Sequence, residues 1–396
     1  MKIAIICDVL GKPNNGTSIA TYNLIAHLKK KGHEVHVICP DKEKEGEEGY
    51  HILPLWNVGP LNGYVRKNGV AIGSPKKEIM EPIIKEMDII HTELPFMVSA
   101  KAVRIAKKHN VAISCSNHAQ AENCTSHFWL MHFEPANYFT YRLFYNKIYK
   151  HAVSVHYPSE FIRDYLLARG YTRPKPYVIT NGVNPGIYPM PCEKPEELKD
   201  KFVILYTARL VKEKSQKLLI DAIKYSKYKD KIKVIFAGSG PRLKKLQTRA
   251  HKKNLDESIS FSFFTREEMN RVINYSDLYV HPSNIEIEAI AANEAVSCGL
   301  VPVISNSKKS AAPKFALDEH NLFAANSPKD LARKIDFWIE NPELKALQKK
   351  EYLKRRTPLS VEQAMEEMEK MLLESIETHK QRKQESEKHG KENKRT

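Results

Sequence analysis

MKIAIICDVLGKPNNGTSIATYNLIAHLKKKGHEVHVIC, residues 1–39, decides the fold. Ile3 to Cys7 is an unbroken apolar run closed by Asp8, as a parallel strand buried on both faces requires. Gly11, Pro13, Asn14, Asn15 and Gly16 then make a loop rich in turn formers. Thr17 to Lys31 reads as a helix with Ile19, Tyr22, Leu24, Ile25 and Leu28 largely on one side, and Gly32-His33 stops it. Glu34 to Cys39 is the second strand. Strand, helix and strand on short connections form a βαβ unit, and such units build parallel sheets.

The pattern recurs outward from there. Asp88 to His91, Val111 to Ser114, Ala152 to Tyr157 and Tyr177 to Thr180 read as strands, with a helix over Val98 to His109 and another opened by Ser159. A second half begins near Phe202. Its strands are Val203 to Tyr206, Lys233 to Ala237, Ile259 to Phe263, Leu278 to Val280 and Val301 to Ile304, and its helices are Lys217 to Ser226 and Glu288 to Cys298. Pro185 to Glu197 holds four prolines and reads as an interdomain linker. Ser360-x-x-Gln363 is a capping box for a last helix whose Val361, Ala364, Met365, Met368, Leu372 and Ile376 form an apolar stripe in need of a partner surface. The expectation is an α/β protein of two doubly wound, Rossmann-like domains facing a cleft. Its parts are 1–190, 191–358, a helix 359–378 returning to the first domain, and a basic disordered tail 379–396. In such sheets ligands sit beyond the carboxyl ends of the strands.

Composition narrows the partners. The 396 residues carry a net charge of +16, which attracts polyanions: phosphorylated substrates, an anionic membrane face or nucleic acid. The tail contributes seven Lys/Arg against three Glu. No apolar run approaches the roughly 20 residues of a membrane span. The first residues lack the shape of a secretory signal, so the protein is expected on the cytoplasmic side. Six scattered cysteines without a C-x-x-C pair argue against a zinc site or a disulfide framework. No nucleic-acid module is recognisable. Tyr138 to His151 interleaves Tyr138, Phe139, Tyr141, Phe144, Tyr145 and Tyr149 with Arg142, Lys147 and Lys150. Such a segment suits the interface of an anionic bilayer or, equally, an aromatic helix packed in the first domain.

The chemistry centres on Glu286-Ile-Glu-Ala-Ile-Ala-Ala-Asn-Glu294. A loop carboxylate and one on the ensuing helix can grip hydroxyls at two points of an elongated ligand, with helix-start N–H groups meeting a phosphate between them. Arg209 follows a strand, and Lys214 lies five residues on. A guanidinium fork and a point charge beside a helix start suit a diphosphate. Gly238-Ser239-Gly240 lets backbone come close to a ligand, and Gly16-Thr17 is a second such cluster. Each feature alone is ordinary: an acidic helix start, a basic loop, a turn.

Together, in this order, they resemble family 4 of the retaining glycosyltransferases, which have the GT-B fold. The resemblance spans roughly residues 1 to 378. It includes Gly32-His33-Glu34-Val35, Asp88-Ile89-Ile90-His91, His118, Pro158-Ser159-Glu160, Asn181-Gly182-Val183, Arg209 with Lys214, Gly238-Ser239-Gly240, and the two glutamates. It implies that Arg209 and Lys214 neutralise the leaving diphosphate of a UDP-sugar. Glu286 would hold hydroxyls of the transferred sugar and Glu294 the ribose, while His118 would touch the sugar and Gly16 would let backbone approach donor or acceptor. It further implies attack on the face the leaving group departs from, through an oxocarbenium-like transition state stabilised by position and charge. No tightly bound cofactor is implied, and no metal is expected with two cations in place and no Asp-x-Asp motif. One departure stands out: the family's Phe-Gly step is Glu288-Ala289 here, which bears on the sugar's identity. Details around Glu286 and His118-Ala-Gln-Ala-Glu-Asn123 look like bacterial enzymes that glycosylate diacylglycerol or its monoglycosyl form. That implies a glycolipid acceptor and a peripheral place on the inner face of the plasma membrane. Two rivals remain open: a same-fold transferase for capsule, teichoic acid or polyprenyl-linked acceptors, and a non-enzymatic polyanion-binding protein.

Overall fold

The computed structural model describes residues 1–11, 16–57, 59, 72–126, 130–355 and 359–392. The chain divides into two compact units, 1–181 with 362–396, and 182–361.

In the first unit the strands are β1 (Lys2–Ile6), β2 (Glu34–Cys39), β3 (Tyr50–Ile52), β4 (Ile89–Thr92), β5 (Ala112–Ser116), β6 (Ser154–Tyr157) and β7 (Lys175–Val178). They form a parallel sheet in the order β3-β2-β1-β4-β5-β6-β7. β1 lies inside the sheet, paired on both sides, with Ile3 beside Val35 on one flank and Ile89 on the other. That explains why Ile3 to Ile6 are wholly buried and carry no polar alternation. Asp8, just past β1, caps the helix Met97–Lys108. Its carboxylate accepts from Val98 N at 2.7 Å, Ser99 N at 3.3 Å and the Ser99 hydroxyl at 2.6 Å. The first helix runs Gly16–Lys30 and buries Leu24, Ile25 and Leu28, whereas Ile19, placed on the inner side by periodicity, is exposed. Pro13, Asn14 and Asn15 of the preceding loop lie outside the described residues.

The last helix, Val361–Glu392, returns to this first unit. Its stripe Ala364, Met365, Met368, Met371, Leu372 and Ile376 is buried. On its flank Glu369 bridges His27 Nε2 and His33 Nε2, each at 2.8 Å. The expected disordered tail is corrected here: the segment from His379 continues the helix to Glu392. It is rich in Glu, Lys, Gln and Arg, all good helix formers, and Lys380 pairs with Glu377 one turn back at 3.1 Å.

The second unit holds β8 (Phe202–Thr207), β9 (Ile232–Ala237), β10 (Ile259–Ser262), β11 (Leu278–His281), β12 (Pro302–Ser305) and β13 (Leu322–Phe323), parallel in the order β10-β9-β8-β11-β12-β13. The division between units falls at Gly182. There φ is +82°, and a Cβ would sit 2.5 Å from Val361 Cα, where the chain passes itself on its way back. The proline-rich stretch is therefore no free linker. Tyr188 N donates to Asn270 Oδ1 at 3.0 Å, Met190 N to Asn274 Oδ1 at 2.9 Å, and Lys194 pairs with Asp277 at 2.5 Å, fastening it to the second unit.

Candidate functional site

In the second sheet the chain runs outward from β8 to β10 on one side, then crosses to β11 on the other. Leu278 and Tyr279 lie beside Ile204 and Leu205. The loops after β8 and β11 are thereby neighbours at the carboxyl edge, at the switch point where open α/β sheets bind ligands. The first loop carries Arg209 and Lys214, and the second carries Glu286.

Lys214 Nζ donates to Glu286 Oε1 at 2.6 Å, and His281 Nε2 stands 3.2 Å from the same oxygen. Burial opposes ionisation of Glu286. Lys214 and His281 outweigh it and hold the carboxyl well below the usual carboxylate range. His281 is itself oriented by the Tyr279 hydroxyl, 3.2 Å from Nδ1. The Lys214 loop is tied from beneath. Its carbonyl accepts from the Tyr206 hydroxyl at 3.0 Å, while Gln216 Nε2 reaches the Tyr206 hydroxyl at 2.9 Å and the Arg209 carbonyl at 2.7 Å.

Gly238 and Gly240 serve this loop. A Cβ on Gly238 would meet the Ala208 carbonyl oxygen at 2.2 Å, and one on Gly240 the Leu210 carbonyl oxygen at 2.7 Å. The space left by their missing side chains is filled by the backbone on either side of Arg209, and Leu210 N donates to Ser239 O at 2.8 Å. The close approach the sequence foresaw toward a ligand is thus made toward the Arg209 loop, which the two glycines position.

The helix carrying Glu294 runs Ile290–Ser297, starting later than the sequence suggested because Ala289 is left-handed, φ +63° and ψ +51°. The family's glycine position thus keeps a backbone that suits glycine, at an expense of about 1 kcal/mol for alanine. Burial pushes the Glu294 carboxyl up to about 7, with Arg266 pulling the other way. Burial, with the charges of Glu286 and Glu294 adding to it, pushes the Tyr279 hydroxyl far up.

His118 and Gly16 belong to the first unit. Gly16 opens the first helix with free space where a Cβ would stand. His118 Nε2 lies 3.2 Å from Glu93 Oε2, both buried. Around them runs a polar chain inside the sheet. His91 Nε2 and Nδ1 meet the Ser116 and Ser114 hydroxyls at 2.8 and 3.2 Å. Ser114 Oγ meets Ser154 Oγ at 3.0 Å, and Ser154 Oγ meets Ser375 Oγ of the returning helix at 2.6 Å. Sequence reasoning missed His281 and Glu93. The available signal was a polar residue ending a buried strand, in Leu-Tyr-Val-His281 and Ile-Ile-His-Thr-Glu93.

Two family models match: Glycosyltransferase Family 4 over residues 14–186 and Glycosyl transferases group 1 over residues 192–356. The chain is similar to the alpha-monoglucosyldiacylglycerol synthase of Streptococcus pneumoniae, 24% identical over 324 residues, covering 77% of this chain and 71% of that protein. Among solved structures it is similar to the catalytic domain of cholesterol-alpha-glucosyltransferase from Helicobacter pylori, 43% identical over 39% of this chain and 95% of that one, at a TM-score of 0.37. It is also similar to Anabaena Alr3699/HepE in complex with UDP, 18% identical, covering 94% of this chain and all of that one at a TM-score of 0.71.

Proposed function

Since the chain belongs to family 4 of the glycosyltransferases, with the GT-B fold, we propose that it moves a hexose, glucose or galactose, with retention from a UDP-sugar to a membrane lipid acceptor such as diacylglycerol or its monoglycosyl form. Family membership removes the non-enzymatic polyanion-binding alternative. The observation that carries the donor half is the pairing of a half-buried Lys214 with a buried Glu286 beside the Arg209 loop at the sheet's switch point. An elongated donor laid along this edge would meet cations at its diphosphate, Glu286 at the sugar and Glu294 at the ribose. As the glycosidic bond to the diphosphate lengthens, negative charge grows on the phosphate oxygens, where Arg209 and Lys214 stabilise it. Positive charge grows on the sugar ring, to which the ionised Glu286 is complementary. The acceptor hydroxyl attacks from the departing side and passes its proton to the leaving diphosphate. Holding both substrates in line supplies much of the remaining acceleration.

The lipid acceptor is supported by the diacylglycerol-synthase relative and by one surface. The helix Glu134–Lys147 buries Asn137, Tyr141 and Phe144 and exposes Tyr138, Phe139, Arg142, Leu143 and Lys147 at three- and four-residue steps, Phe139 being 69% exposed. An exposed apolar stripe edged with cations suits an anionic bilayer. Among the described residues no helix is long and apolar enough to cross a membrane.

The test is nucleotide release from a panel of nucleotide sugars, with and without diacylglycerol, monoglucosyl-diacylglycerol or a sterol in anionic vesicles. UDP release that rises on adding a lipid acceptor is expected. Replacing Arg142, Lys147 and Lys150 together should weaken vesicle binding and slow lipid glycosylation. Turnover indifferent to lipid would refute the lipid acceptor and favour a capsule or polyprenyl-linked one. Release of no nucleotide from any donor would refute the whole assignment.

A further inference from the structure

The first unit encloses a carboxylate that the reaction as described does not use. Glu93 is 1% exposed, and around it stand three imidazoles, His91, His118 and His156. Two of the three make their hydrogen bonds to other groups. His91 holds Ser114 and Ser116, and His156 holds Ser116 through Nδ1 at 2.9 Å and the Ile179 carbonyl through Nε2 at 2.7 Å. His118 comes closest to the carboxylate, Nε2 to Oε2 at 3.2 Å, while His91 Nε2 stands 3.9 Å from Oε1; the His156 ring lies edge-on to His118 at a centroid distance of 5.5 Å.

We propose that Glu93 is a positioning residue: its carboxylate fixes His118 with the proton on Nε2 and leaves Nδ1 to accept a hydroxyl of the transferred sugar. An ionised carboxylate can only accept, so the ring nitrogen facing it must carry the hydrogen. Burial alone would raise the Glu93 carboxyl, but the hydrogen bond from His118, the largest opposing influence, brings it below its ordinary value, so it is ionised at neutral pH. Burial lowers both His91 and His156, the latter to about 3, which keeps them neutral and unable to serve as counter-charges. Among the described residues no hydrogen bond is made to His118 Nδ1. The fixed negative charge behind the ring makes Nδ1 a stronger acceptor. All this rests on the reading that His118 touches the sugar.

The experiment is a double-mutant cycle on the full chain, with the donor found in the nucleotide-release screen. Glu93→Gln keeps the volume and can still accept, but it loses the charge and no longer dictates the tautomer. Its turnover should fall on the order of 100-fold, as for loss of a group that orients a functional imidazole. The KM for the donor should stay within about twofold and the melting temperature should stay unchanged. Combined with His118→Ala, it should add nothing to the loss from His118→Ala alone. Losses that multiply, or wild-type turnover in Glu93→Gln beside a crippled His118→Ala, would overturn the positioning role and leave the transferase reading intact. Wild-type turnover in His118→Ala would instead remove the sugar contact, and the inference with it. In the unaltered protein, nitrogen-15 spectra should show the His118 proton on Nε2. A proton found on Nδ1 of the neutral ring would overturn the inference without reference to activity.

Discussion

Donor affinity should rise with pH through neutrality, and Glu294 should be the reason. Its carboxyl, pushed up to about 7 by burial, is mostly protonated at pH 6 and mostly ionised at pH 8. A carboxylate accepts two ribose hydroxyls, whereas the acid form presents a donor of its own to the site. If only the ionised form grips the ribose, the competent fraction is about one in eleven at pH 6 and about ten in eleven at pH 8. The apparent Kd should then tighten about tenfold across that interval, or ~1.4 kcal/mol. The sign follows from the free state: a raised carboxyl must release its proton on binding, so higher pH favours the complex. UDP-glucose is the proper probe, because its diphosphate does not titrate in this range, whereas the terminal phosphate of UDP does. Calorimetry at pH 6, 7 and 8 should be run at fixed ionic strength, since the diphosphate contacts are screened by salt. Buffers of different ionisation heat would count the released proton. Glu294→Gln should bind with a nearly flat pH profile. A flat profile in the wild type, or the same slope in Glu294→Gln, would refute the reasoning. The same shift also works on stability. The raised carboxyl contributes in full below its unfolded value near 4.5, and the contribution is lost as pH rises through about 7.

Ala289→Gly should relieve the left-handed backbone at the start of the Glu294 helix. The expected gain is about 1 kcal/mol, diminished by the freedom glycine adds to the unfolded chain, and it would appear as a melting point about 2–4 °C higher by circular dichroism. An unchanged or lower melting point would mean that the surrounding packing already favours that conformation for alanine. Gly238→Ala would set a methyl 2.2 Å from the Ala208 carbonyl oxygen and must displace the loop holding Arg209. UDP-glucose affinity should fall at least about tenfold by calorimetry while far-ultraviolet dichroism keeps its shape, and undiminished affinity would separate that loop from the donor.

The sequence by itself determined the two α/β halves, because the periods that announce buried strands and amphipathic helices are local. A continuous apolar run such as Ile3 to Cys7 needs no distant partner to be recognised. It also determined which cations and acids to watch, since Arg209, Lys214 and Glu286 stand in loops after strands and Glu294 on the helix that follows. Only the tertiary structure decided which of them meet. Lys214 and Glu286 are joined because β8 and β11 are neighbours, and strand order is set by packing of the whole sheet rather than by any stretch of chain. For the same reason His281 and Glu93 stayed hidden: each reads as the polar end of a strand until the partner facing it is known. The glycines of Gly238-Ser239-Gly240 read as room for a ligand, yet the Ala208–Leu210 backbone fills that room. The prolines of 185–195 read as a linker, yet Asn270, Asn274 and Asp277 hold their segment down. Close approach and docking are properties of pairs of segments, and one segment alone carries no record of its partner.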